Sequence, residues 1–463
     1  MKLTKKDYKE ILEACLETGA DFAEIYLEDK IANNYAMING KLDRANSSNL
    51  YGASIRILQG VEESFGYTSD LSKENLLNLA RKLNASFNAP KQKIKFTLKE
   101  EETPKIIFVE RSASKTKLKE KIKLLARAEK GLRSFDSKEI IRTNAVLTDE
   151  EQYITVINTL GIIKKDLRSH LRLSVSAVAS DGKNMQDAFS SKGGNCGYEL
   201  FDNFDIEKMG YEASETAVKM LHADEMKSGK MTVVIDNGFG GVLLHEACVH
   251  SLEATSVAKG SSVFCNMLGK QIASPIVTAI DDGTIPNAWG SLNIDDEGNE
   301  TKRNVLIKDG ILQSYLVDFR NDRTMKHGIT GSGRRQNFKY SPTSRMTNTF
   351  FAPGDSTFEE IIKNTESGFF AKSMGGGSVN PATGEFNFAV NEGYLIENGK
   401  ITKPVRGATL VGSGAEILAN IDMIANNLEF SYGMCGSLSG QIPTIVGQPT
   451  IRVQNITVGG KGN

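Results

Sequence analysis

The sequence predicts an α+β fold in two parts. An N-terminal α+β domain occupies residues 1–223, and a β-rich domain carrying a histidine-bearing helix occupies residues 224–463. Three observations support this division. Helical and strand patterns are interleaved through the first half. The 43 glycines cluster in the second half, as many tight turns between strands require. The polar stretch Ala223–Lys230 follows a helical pattern and marks the boundary. A chain of 463 residues has length for two or three domains with cores of their own.

The elements follow in order. Tyr8, Ile11, Leu12, Cys15 and Leu16 share one helical face, and Gly19 ends that helix. Ala23, Ile25 and Leu27 alternate with Phe22, Glu24 and Tyr26, a strand pattern, and residues 52–58 form a second strand. A helix is expected over 73–84, and the charged stretch from Pro90 to Pro104 is a connection. Leu118, Ile122, Leu125 and Leu132 define a long helix with a basic outer face, in which Glu120 and Glu129 favour solvent over nucleic acid. Leu171, Leu173, Val175 and Ala177 alternate with polar residues in a half-buried strand, with His170 at its start. Residues 207–222 are helical. Val233-Val234-Ile235 then makes a buried strand, Gly238, Gly240 and Gly241 a turn, and Val242-Leu243-Leu244 opens an apolar helical run.

Charge and composition narrow the function. With 56 basic and 57 acidic residues, the net charge of −1 gives no reason to expect nucleic acid or an anionic membrane as partner. No apolar run approaches the roughly 18 residues of a membrane helix. The N-terminus, Met1-Lys2-Leu3-Thr4-Lys5-Lys6, lacks the apolar core of a signal peptide. Five scattered cysteines, at 15, 196, 248, 265 and 435, fit a reducing compartment, so a cytoplasmic location is expected.

The helical run ends in His245-Glu246-Ala247-Cys248-Val249-His250, which holds two of the chain's five histidines. A hydrolytic zinc site needs neutral nitrogen ligands and a carboxylate beside the attacking water. Residues five apart sit about 140° around a regular helix. Both imidazoles therefore meet one metal only if the helix widens locally, for instance by a π-bulge. A third ligand is required, and Cys248, Glu253, Cys265, Glu385, Glu416 and Cys435 are candidates. Cys248 lies between the two histidines and is poorly placed to close a tetrahedron. Glu253 suits either ligation or orientation of a histidine. Cys435 is flanked by Gly433 and Gly436, which permit close approach.

Other motifs have plainer readings. Asp295-Asp296-Glu297-Gly298 lacks the alternating oxygen ligands of a calcium loop and is a turn. Gly375-Gly376-Gly377-Ser378 has no following Gly-Lys-Ser/Thr, so it is a mobile loop near the cleft rather than a phosphate loop. His327 is a turn residue. Arg345 is favoured as a structural ion-pair partner.

The stretch from His245 to Glu253 (HEACVHSLE) resembles the signature of the TldD/PmbA family of metallopeptidases. The likeness continues through Asp281–Thr284, Asn287–Ser291, Asp295–Gly298, Ser344–Thr349, Thr383–Phe386, Met434–Gly436 and Gly447–Thr450. It covers essentially the whole C-terminal half and is weaker before it. The resemblance implies a TldD-type subunit, the metal-bearing kind, with His245, His250 and Cys435 binding zinc and Glu246 as general base. It implies a C-terminal metallopeptidase domain, a homodimer or a heterodimer with a TldE/PmbA-type subunit, and unfolded peptides as substrates, gripped mainly through their backbones. No nucleic-acid or membrane partner is implied. One departure stands out: where many members carry glycine before the second histidine, this chain has Val249. That residue is the one feature favouring the alternative, a weak or inactive binding subunit of such a complex.

Overall fold

The structure is a computed structural model that describes residues 3–87, 89–379 and 383–460. Met1 and Lys2 of the basic N-terminal stretch lie outside the described residues.

The first half builds one mostly antiparallel sheet. Its strands run in the order Glu62–Thr68, Lys41–Gln59, Phe22–Ile38, Ile140–Asn158, Ile162–Ser180 and Lys99–Glu100, and Met185–Asn195 also pairs with Ile162–Ser180. The central strands are 17 to 19 residues long, far beyond the typical about 5–6. Side chains alternate between faces, so odd-numbered residues of Phe22–Ile38 share one side. Ala23 and Ile25 pack there with helices Lys5–Cys15 and Lys73–Asn84. Tyr35 and Met37, at the other end of the same strand, pack with helices Leu118–Ser134 and Ile206–Leu221. Two helix pairs thus sit side by side on one face. The second pair touches backbone to backbone: a Cβ on Gly131 would lie 2.1 Å from the Glu207 carbonyl oxygen.

The opposite face of the sheet carries charge, and it is buried. Glu24, Arg56 and Arg168 are at most 3 % exposed. Their partners come from the second half of the chain. Arg335 donates to Glu24 at 2.5 Å and covers the Tyr26 ring at 4.3 Å. Arg56 donates to Glu297 at 2.5 Å, and Arg168 donates to Asp296 at 2.7 Å. The Phe338 amide donates to Glu28 at 2.6 Å. Asp295–Gly298 is a turn, as expected, with Gly298 at φ +83°. Its carboxylates are also the docking surface between the halves. Burial raises the pKa of both Asp295 and Glu297, although hydrogen bonds to Asp295 and the charge of Arg56 beside Glu297 oppose it.

The second half is β-rich. Ser367–Val379, Gly229–Ile235, Ile451–Gly459, Thr409–Ser413 and Glu385–Glu397 pair in sequence, and the last pairs back to the first, closing a ring. A second sheet runs Ile311–Leu312, Arg303–Lys308, Ala279–Asp282, Asn348–Phe351, Gly440–Gln448 and Glu429–Ser437. One large apolar core joins the ring, this sheet and the helix that carries His245. No described helix is long and apolar enough to cross a membrane.

Three expectations change. Gly375–Ser378 belongs to strand Ser367–Val379 rather than a loop, although Gly375 and Gly376 do line a cleft. His170 sits in the middle of strand Ile162–Ser180, buried against Trp289, not at a strand start. The first strands extend well past the alternating segments: Lys41–Asn49, for one, is exposed strand with no apolar rhythm to mark it.

Removing one member of a buried ion pair leaves the other charge unpaired, at about 3–5 kcal/mol. Arg335→Met is expected to destabilise the chain by about that amount in urea unfolding. The double variant Arg335→Met/Glu24→Gln should recover part of the loss.

Candidate metal centre

Strand Gly229–Ile235 leads through a short turn, Gly238–Gly241, into helix Val242–Ala247. Gly241 permits this entry: a Cβ there would lie 2.5 Å from the Gly447 carbonyl oxygen. Val242, Leu243, Leu244 and Ala247 bury the inner face, so His245 is carried inward at 3 % exposure. The helix does not continue to His250. It stops at Cys248 (φ −125°, ψ −60°), and His250 lies on a separate 3-10 turn, Val249–Leu252. The expected widened helix is therefore a break. The break solves the same spacing problem, because it frees His250 from the helical rotation. The two imidazole rings stand 4.9 Å apart and nearly perpendicular, at 89°.

Cys435 meets them from strand Glu429–Ser437, opposite Ile442 of the neighbouring strand. Its Sγ lies 3.2 Å from His245 Nε2 and 3.3 Å from His250 Nε2. Among the described residues, these three ligand atoms lie within 4.8 Å of one another. Ligands on a tetrahedral zinc are about 3.5 Å apart, from bond lengths near 2.0 and 2.3 Å. Two imidazole nitrogens and a thiolate turned toward one point therefore fit a borderline-soft divalent metal. Burial alone pushes the Cys435 thiol up. The charge of His245 and hydrogen bonds with both imidazoles outweigh it and hold the thiol at about 3, the thiolate form a metal requires. Burial disfavours charge on His250 too, but Glu253 and Cys435 outweigh it and raise its pKa.

The surrounding groups orient the three. Glu253 Oε1 stands 3.3 Å from His250 Nδ1, which leaves Nε2 facing the centre. Arg345 is fully buried. It donates to the Cys435 carbonyl at 2.6 Å and to Ser439 Oγ and the Gly440 carbonyl at 2.9 Å. Its Nε is 3.9 Å from Glu253. Arg345 thus ties the Cys435 hairpin to the carboxylate behind His250, in keeping with a structural role. Glu246 Oε2 is 3.7 Å from His250 Nε2, and its side chain is 28 % exposed, so this carboxylate faces the open side.

The other ligand candidates fall elsewhere. Cys248 is buried in the apolar core, which pushes its thiol up to about 12. Cys265 faces the Val257 carbonyl at 3.6 Å. Glu385 is near Thr383, and Glu416 lies in the first turn of helix Gly414–Asn420. Val249 is fully buried in the core and is not in the left-handed region that would call for glycine. His327 follows left-handed Lys326 and contacts Ser314 Oγ at 2.9 Å, as a turn residue should.

A cleft of about 1160 Å³ is lined by residues 428–434, by Phe239 and Gly240, and by Lys372–Gly376. Cys435 is the next residue along that strand. From the N-terminal sheet the cleft takes Arg172 and Lys192, which sequence patterns did not single out. Trp289, the only tryptophan in the chain, donates its indole N–H to the Gly433 carbonyl at 2.8 Å and steadies the same strand.

Comparison with known proteins gives the family. Family models match throughout: the PmbA/TldA metallopeptidase domain 1 over residues 23–87, the central domain over 111–221 and the C-terminal domain over 228–460. The first two models fall on one continuous sheet. A metalloprotease TldD homologue from Buchnera aphidicola is 35 % identical, covering 99 % of this chain and 97 % of the relative. Another from Haemophilus influenzae is 34 % identical, over 95 % of this chain and 93 % of the relative. A metalloprotease from Methanothermobacter thermautotrophicus is 31 % identical over 96 % and 97 %. This chain belongs to the PmbA/TldD family of metallopeptidases. In fold it matches a Thermotoga maritima protein described as a modulator of DNA gyrase, with TM-score 0.81 and 21 % identity over 98 % of this chain and 100 % of that one. It also matches TldE from Thermococcus kodakarensis, with TM-score 0.76 and 18 % identity over 98 % and 99 %.

Loss of a carboxylate behind a metal-binding histidine typically costs about 10–100-fold in metal affinity. Glu253→Gln should weaken divalent-metal binding by about that factor in a chelator-competition titration, with the fold unchanged.

Proposed function

We propose that this chain is a zinc-dependent peptidase that hydrolyses peptide bonds in unfolded peptides or small proteins. His245, His250 and Cys435 are the metal ligands, and Glu246 is the general base. The observation that carries the reading is the convergence of two imidazole nitrogens and a low-pKa thiol beside one partly exposed carboxylate. Zinc, when bound, supplies a Lewis acid and brings the pKa of water down to about 7. Glu246 takes the proton of the attacking water and returns it to the leaving amine. Glu253 fixes the His250 ring, and Arg345 fixes the hairpin that presents Cys435. Strand Glu429–Ser437 is outermost in its sheet, and residues 429–434 line the cleft. An extended peptide laid there meets unpaired backbone donors and acceptors.

The same reading divides the chain into an N-terminal domain over 1–223 and a catalytic domain over 224–463. It places the protein in the cytoplasm, where its five free cysteines stay reduced. It assembles the chain as a homodimer or with a TldE/PmbA-type subunit; the fold match to TldE supports the second arrangement.

Elemental analysis of the purified chain should give about one zinc per chain, absent in Cys435→Ala. Absence of zinc after reconstitution of the unaltered chain would sink the assignment. Glu246→Gln should keep its zinc and lose about 10²–10⁴-fold in turnover of an unstructured peptide. Loss of metal in that variant would contradict the division of roles.

A further inference from the structure

We propose that Arg172 and Lys192 form a carboxylate-binding subsite in the cleft, which anchors a peptide by a free carboxylate. The inference deepens the peptidase reading and rests on it for the nature of the ligand.

Both cations line the cleft beside Tyr432 and Met434, within a few residues of Cys435 along the strand. Three guanidinium groups buried between the two halves carry acidic partners. Arg56, Arg168 and Arg335 each hold a carboxylate. Arg172 holds none within 4.0 Å among the described residues. It donates one hydrogen bond to Ser191 Oγ at 3.1 Å, and its Nε is buried with no partner. Its guanidinium is flanked by Phe189 at 5.6 Å and Trp289 at 6.0 Å. Desolvation lowers its pKa, against the usual rise that an acidic partner gives. Lys192, on the neighbouring strand, lies over Phe204 at 5.4 Å and Tyr432 at 5.9 Å, and it too makes no ion pair among the described residues.

The acidic residues of the cleft are largely engaged. Glu392 pairs with Lys372, Glu212 with Lys208, Asp205 caps its helix and Asp236 accepts from Thr450 Oγ1, while Glu429 makes no ion pair among the described residues. No carboxylate among the described residues lies within 4.0 Å of either cation, so both are open to an acidic ligand. A planar guanidinium held between aromatic rings keeps its in-plane donors free, and a carboxylate takes two of them at once. The ligand carboxylate is either the C-terminal α-carboxylate or an acidic side chain.

Binding, rather than turnover, tests this. A dye-labelled unstructured peptide is titrated against full-length Glu246→Gln protein by fluorescence anisotropy. Three forms are compared: free C-terminus without acidic residues, the same peptide amidated, and the amidated peptide carrying one Glu. Loss of the only carboxylate should weaken binding about 10- to 100-fold, as a charge-assisted hydrogen-bonded pair predicts. If affinity returns with Glu, the subsite takes a side chain; if it does not, it takes the C-terminus. Arg172→Gln and Lys192→Gln should each shrink the acid-to-amide ratio, and Arg172→Lys should restore part of it. Equal affinity for all three peptides would overturn the subsite and leave the peptidase reading intact. Discrimination between them by a chain that never cleaves would do the reverse.

Discussion

The burial of a charged sheet face sets the constraints that everything else obeys. Glu24, Arg56 and Arg168 have no water to solvate them once the halves dock. Their desolvation is offset only if Arg335, Asp296 and Glu297 arrive in register, because an unmatched charge at such a surface costs several kcal/mol. An apolar interface tolerates sliding; this one does not. The long strands follow from the same constraint. They must carry two helix pairs on one side and present an extended polar surface on the other.

The candidate metal centre inherits that rigidity. Trp289 and Arg345 both hold the strand that bears Cys435, one through Gly433 and the other through the carbonyl of Cys435 itself. Trp289 in turn packs edge-on to His170 of the N-terminal sheet, with ring centroids 5.0 Å apart. The thiol position is thus referenced to the N-terminal half as well as to its own domain. On the other side, the break at Cys248 turns two residues that helical geometry would separate into neighbours.

Much of this was legible in the sequence, and the illegible parts share a cause. The helices around Ile11, Leu125 and Ala217 bury one apolar stripe, and periodicity exposes such stripes directly. The strands were visible only where one face meets an apolar core, as at Leu171–Ala177. Residues 28–34 and 41–49 are strand as well, but no apolar alternation marks them. Of the site, the histidines and Glu246 stood out by local spacing. Cys435 was one candidate among six on residue chemistry alone, and only the family likeness singled it out. Its pairing with the histidines is a long-range fact of topology. Arg172 was invisible because its significance is the lack of a partner, which a sequence does not display.

The one thiol of the candidate centre lies 185 residues after His250 along the chain. A chain still emerging from the ribosome therefore owns two imidazoles but not the sulfur that completes the set. Two nitrogen ligands hold a divalent ion far less firmly than a closed trio. Order of synthesis thus keeps the trio incomplete until the hairpin that bears Cys435 has been made.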